Sequence, residues 1–232
     1  MTDDRSHPVV IIDYGMGNLF SVQQAFSKVG IPAAITSSKI DVMDATVVVI
    51  PGVGAFGDAM NALHKLDLVS PIKDLIGSNT LIVGICLGME LLMSESEEFG
   101  IHKGLDVVSG PVVRLKPNPD DKRPPKVPHV GWSRIYSPDD SREEDPWKDT
   151  LLDSVPQDEF MYFVHSYYVR PLDGNIVLSI SQYGDVQFCS SFNTGNIFGC
   201  QFHPERSGIH GLTIYENIYD HCQNEKTKYL GN

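Results

Sequence analysis

The chain has 232 residues, of which 41% are hydrophobic, so it can bury a sizeable core and is too apolar for a disordered polymer. Its 18 basic and 30 acidic residues leave a net charge of −12, which disfavours binding to nucleic acid or to an anionic membrane. No apolar run approaches the roughly 18–20 residues that span a bilayer, and the polar start "MTDDRSHP" is not a signal peptide. The expected location is the cytoplasm, where Cys86, Cys189, Cys200 and Cys222 stay reduced. None of these cysteines forms a C-x-x-C pair, so no zinc site is expected.

In chain order, Val9 to Ile12 reads as a buried strand, followed by a helix that Asn18 can cap and Gly30 ends. Thr46 to Ile50 is a second buried strand, closed by Pro51-Gly52-Val53-Gly54. Ala55 to Leu66 and Leu68 to Ile76 read as helices, and Leu81 to Ile85 as a third strand that runs into a helical pattern. Alternating strands and helices predict a mostly parallel twisted sheet flanked by helices. In the second half, Lys116 to Pro128 and Pro138 to Pro146 read as polar loops. Strands are expected at Phe160 to Val169, Ile176 to Gln182, Val186 to Phe192 and Ile197 to Phe202. Gly184-Asp185 is the turn of a hairpin, so antiparallel strands join the sheet. A helix from Ser207 to Cys222 follows. No internal repeat or long linker divides the chain, and residues 1–232 are expected to form one domain.

Gly84-Ile85-Cys86-Leu87-Gly88 has the form G-x-C-x-G, the sulfur counterpart of the nucleophile elbow. A sharp turn between strand and helix forces strained backbone angles on the central residue. It points the side chain into the crevice beyond the strand ends. A thiolate nucleophile needs a base and an orienter for that base. "GCQFHPERSG" offers both, because His203 and Glu205 would share one side of an extended chain stiffened by Pro204. The glycine-rich turn after Ile50 can supply backbone N–H groups to an oxyanion, together with the N–H of Leu87.

With "PGVGAFGDAM", "GICLGMELL" and "GCQFHPERSG" in this order, the chain resembles the class I (triad-type) glutamine amidotransferases. More narrowly, "DYGMGNLFSV", "VPHVGWSRI", "YFVHSYYV" and "HPERSGIHGL" resemble the glutaminase-subunit family of imidazole glycerol phosphate synthase. The resemblance covers nearly the whole chain. It implies hydrolysis of L-glutamine through a thioester on Cys86, with His203 as acid and base and Glu205 as its orienter. Gly52, Val53 and Leu87 would form the oxyanion site, and His165, Ser166 and Tyr167 would line the glutamine site. Asn18, Trp132 and Arg206 would face a (β/α)8 barrel synthase subunit, to which ammonia is channelled within a heterodimer. That pathway is histidine biosynthesis, and no metal or cofactor is implied.

Three departures stand out. Glu90 replaces the family's usual glutamine, Arg206 replaces a lysine, and "KPNPDDKRPPK" is longer than usual. Glu90 lies one turn behind Cys86 and is expected in the pocket as an ionised carboxylate that only accepts hydrogen bonds. Such a charge would repel the substrate carboxylate. A paralogous glutaminase that supplies ammonia for amidino sugars of bacterial surface polysaccharide is the alternative reading. A non-catalytic binding protein on the same fold ranks lower, since Cys86, His203 and Glu205 are all present.

Overall fold

The computed structural model describes residues 8–118, 120, 125–138 and 146–230, with side chains as far as 222. Most of the start "MTDDRSHP" and of the loop expected at Pro138 to Pro146 lies outside the described residues, as does part of the loop at Lys116 to Pro128.

The β-branched runs build the centre. Strands β1 (Val9–Ile12), β3 (Val47–Gly52) and β4 (Leu81–Cys86) are buried throughout and pair in parallel. Continuous apolar runs suit strands covered on both faces. Because side chains alternate along a strand, Val9 and Ile11 join one core layer and Val10 and Ile12 the other. The first layer packs on α1 (Leu19–Lys28) and α6 (Gly208–Leu230), where Phe26 meets Tyr215 edge to face at 4.7 Å. The second packs on α2 (Lys39–Asp44), α3 (Phe56–Lys65), α4 (Val69–Asp74) and α5 (Leu87–Leu91). Asn18 caps α1, accepting the Ser21 N–H at 3.4 Å.

The edge strand β2 (Ala33–Thr36) lies beyond β1. On the other side β13 (Ile197–Cys200) runs parallel to β4, followed by β12 (Val186–Thr194) and β11 (Val177–Tyr183) in antiparallel pairing. The sheet order is β11-β12-β13-β4-β3-β1-β2, so the fold is the mostly parallel α/β sheet that the chain's periodicity predicts. The expected hairpin forms at Gly184, which takes φ 63° between the paired Tyr183 and Val186.

Two further sheets were not legible. One has the order β10-β7-β5-β6, from Tyr167–Val169, Val108–Arg114, Met93–Ser96 and His102–Lys103. The other pairs β8 (His129–Ile135) with β9 (Glu159–His165). The single strand expected from Phe160 to Val169 is therefore two. His165 pairs with His129 in one sheet, Tyr167 pairs with Arg114 in the other, and Ser166 is the crossing residue, its carbonyl accepting the Leu115 N–H at 2.8 Å. No helix among the described residues is long and apolar enough to cross a membrane.

Candidate active site

Strands β4 and β13 are parallel neighbours, so their C-terminal ends lie on one edge of the sheet. Cys86 ends β4 with φ 54° and ψ −110°, a conformation rare for any residue but glycine. The flanking glycines are required by close approach. A Cβ on Gly84 would lie 2.8 Å from the Met89 nitrogen, and one on Gly88 would overlap the Ile50 carbonyl oxygen. The helix behind Cys86 has only five residues, shorter than the helical pattern suggests.

His203 follows β13 and is pinned by its backbone. Its N–H donates to the Tyr162 carbonyl at 2.8 Å, and its carbonyl accepts the Ser207 hydroxyl at 2.7 Å. Pro204–Arg206 form a 3-10 turn rather than extended chain, and this turn brings Glu205 back to the ring. His203 Nδ1 donates to Glu205 Oε1 at 2.8 Å, with both side chains buried. Burial opposes charge on His203, but the neighbouring Cys86 and the bonded Glu205 outweigh it, and His203 is pushed up to about 10.

Cys86 opens on a pocket whose walls include Val53, Gly54, Leu87, His165, Ser166 and Tyr167. Gly52 is not in this lining. It sits behind it, under the Tyr14 hydroxyl and Leu87, where a Cβ would come 2.8 Å from Leu87 Cβ. His165 is held well down at about 3, chiefly by burial. Trp132 and Arg206 are both exposed and both pack on Tyr162. The indole lies edge-on to Tyr162 at 5.8 Å, and the Arg206 guanidinium covers the same ring at 4.8 Å. Asn18 is exposed, and its side-chain oxygen is engaged as the cap of α1.

Glu90 also lines the pocket and is buried. Burial pushes its carboxyl up to about 8, against the pull of a 3.0 Å hydrogen bond from Gln201 Nε2 and with a further push from Glu98. This corrects the expectation of an ionised carboxylate. At neutral pH Glu90 is an acid that can donate as well as accept, as the family's amide does. The linkage has a definite sign. The folded value lies above the model-peptide 4.5, so Glu90's contribution to stability is full below that pH and is lost as pH rises through about 8. Glu90→Gln is therefore expected to gain on the wild type by on the order of a few kcal/mol between about pH 5 and pH 9. Thermal melts at both pH values measure this, and an equal difference at both would show that Glu90 ionises normally.

Four further residues near the site take their places from the fold. Gln201 Nε2 donates to Glu90 and lies 3.8 Å from Cys86 Sγ. Its position two residues before His203 was the available clue. Glu98 lines the pocket and accepts the Phe56 N–H at 2.6 Å, though it comes from an unpatterned acidic run. Tyr14 donates to the Pro51 carbonyl at 2.5 Å, and burial above all pushes its hydroxyl well up. His129 bonds His165 at 3.0 Å. Among the described residues no group of His, Cys, Asp and Glu could hold a metal ion.

A strained cysteine facing a buried His–Glu pair, beside two backbone turns, can form an acyl thioester and return it to water. Comparison with known proteins gives the family. Residues 10–222 match the family model for class I glutamine amidotransferases. The chain is 40% identical over 225 residues to the imidazole glycerol phosphate synthase subunit HisH of Moorella thermoacetica, covering 97% of this chain and 98% of that one. To the HisH subunit of Syntrophotalea carbinolica it is 43% identical, covering 91% of this chain and 99% of the relative. A crystal structure of a glutamine amidotransferase superposes with a TM-score of 0.67 over 93% of this chain and 99% of its own, at 15% identity, which speaks to the fold alone. The chain belongs to the class I glutamine amidotransferase family.

Proposed function

We propose that the chain is the glutaminase subunit of an imidazole glycerol phosphate synthase. The observation that carries this reading is the Cys86 elbow opposite the His203–Glu205 pair in a chain about 40% identical to HisH subunits over nearly its full length. The Cys86 sulfur attacks the carboxamide carbon of L-glutamine, forming a C–S bond. The oxyanion is met by backbone N–H groups at Val53 and Leu87, with Gly52 shaping the turn behind them. His203 gives its proton to the nitrogen, the C–N bond breaks and ammonia leaves. Neutral His203 then takes a proton from water, hydroxide attacks the thioester, and glutamate departs as the thiolate returns. Glu205 orients the ring and balances its charge in both steps. Glu90, His165, Ser166 and Tyr167 hold the substrate. No cofactor takes part.

Ammonia passes to a (β/α)8 barrel synthase in a cytoplasmic heterodimer that serves histidine biosynthesis. Asn18, Trp132 and Arg206 face that barrel, since aromatic and arginine side chains dominate interface energies. Turnover is gated by the partner. The Val53 N–H belongs to the peptide that follows Gly52, and Val53 is exposed, so that peptide can turn over at little steric cost. One oxyanion donor supplied late is worth roughly 10²–10³ in rate. Glutamate release is therefore expected to rise by about that factor when the barrel subunit and its ligand are added to the isolated chain. Equal turnover with and without the barrel would refute the gating. Activation by a sugar-pathway barrel paralogue alone would move the chain to the surface-polysaccharide reading.

A further inference from the structure

A run of three hydrogen bonds connects strand β8 to the pocket. Ser133 Oγ lies 2.9 Å from His129 Nε2, His129 Nδ1 lies 3.0 Å from His165 Nε2, and His165 Nδ1 lies 2.8 Å from the Tyr167 carbonyl. The last acceptor sets the direction of the whole run. A carbonyl only accepts, so His165 carries its proton on Nδ1. A neutral His165 then offers Nε2 as an acceptor, which His129 fills with its Nδ1–H. The Nε2 of His129 is left to accept the Ser133 hydroxyl. Every ring nitrogen of both histidines is occupied.

The rings are also fixed by packing. His129 stacks on Tyr183 at 4.0 Å and on Phe163 at 5.1 Å, with interplanar angles of 26° and 20°. Burial pushes His129 down to about 4 and His165 to about 3, the latter against the pull of the Tyr167 carbonyl and with a further push from the His203 cation. The titratable groups that share the pocket with His165 are Cys86, Glu90, Glu98 and Tyr167, with His203 close behind. Tyr183 is the titratable group stacked on His129. A second imidazolium here would stand beside the His203 cation and repel it.

We propose that His129 is a positioning residue that locks His165 as its Nδ1–H tautomer with Nε2 filled, so that the pocket keeps one acid–base histidine and the 165–167 backbone stays set for glutamine. The inference rests on the glutaminase reading, and its test separates the two. In wild type, ¹⁵N-imidazole spectra of His165 are expected to show the Nδ1–H tautomer from about pH 5 to pH 9. His129→Phe retains the aromatic stack and removes the donor. With the barrel subunit present, it is expected to raise the glutamine KM about tenfold. It is also expected to add an acidic limb to the kcat/KM profile near the ordinary histidine value of about 6.5. His129→Asn keeps a donor close to the Nδ1 position and is expected to restore both properties. An Nε2–H tautomer or a charged His165 in wild type would overturn the proposal, as would a His129→Phe enzyme with unchanged KM and pH profile. If His129→Phe fails to fold, the wild-type spectra and His129→Asn decide. A wild-type complex that releases no glutamate refutes the glutaminase reading instead, while the tautomer is still read from the spectra.

Discussion

Replacing Cys86 with alanine is expected to lower glutamine hydrolysis by at least about 10³-fold, while synthesis from added ammonium salts by the assembled complex persists. The sulfur is the atom that bonds the substrate carbon, and among the described residues lining the pocket no other is a thiol. His165 has both ring nitrogens engaged, and Glu90 is bonded to Gln201. The barrel's own chemistry needs ammonia and not the thiol. Glutamate release measures the first half and product formation the second. An electrophilic glutamine analogue should add one equivalent of mass to wild type and none to the variant. Residual hydrolysis above about a thousandth of wild type would be incompatible with covalent catalysis at Cys86.

Gly88→Ala is expected to destabilise the fold by about 3 kcal/mol or more, which lowers the melting temperature by roughly 10 °C for a chain of this size. The added methyl would overlap the carbonyl oxygen of Ile50, which is backbone in β3 and not a flexible side chain. Relief requires parting β3 from the elbow, and β3 is registered against β4 at Ile50 and Gly84. Gly174→Ala is the control. Its Cβ meets nothing within 4 Å, and its φ is ordinary, so melting should be unchanged. A Gly88→Ala protein that melts within about 2 °C of wild type would mean that the elbow can widen, and the steric account would fail.

The central sheet was legible because its strands are uninterrupted apolar runs, as at Val47 to Ile50, and such runs suit few other environments. The elbow was legible because its glycine spacing records steric needs, at Gly84 against the following turn and at Gly88 against the Ile50 carbonyl of the neighbouring strand. The second sheet was hidden because its strands are short and carry polar residues, "MSES" and "HK" among them. Ser166 looks like any residue inside "FVHSYYV". Only the different partners of His165 and Tyr167 divide that run. The proton on Glu90 was equally out of reach. It depends on burial and on Gln201, which is remote from Glu90 in sequence, with a further push from Glu98. His129 meets His165 only because β8 and β9 pair them directly.

The positive φ of Cys86 has a consequence for how such a chain can change over time. A side chain held at φ 54° and ψ −110° costs about 1–3 kcal/mol that glycine would not incur. Selection for a sturdier fold alone would drift toward glycine at this position, and selection for turnover alone would tolerate the penalty. The rest of the molecule must supply the surplus, through the two apolar layers that clamp β4 from both sides. Stability in this fold is thus partly held in reserve for one residue, and destabilising substitutions far from the pocket draw on the same reserve.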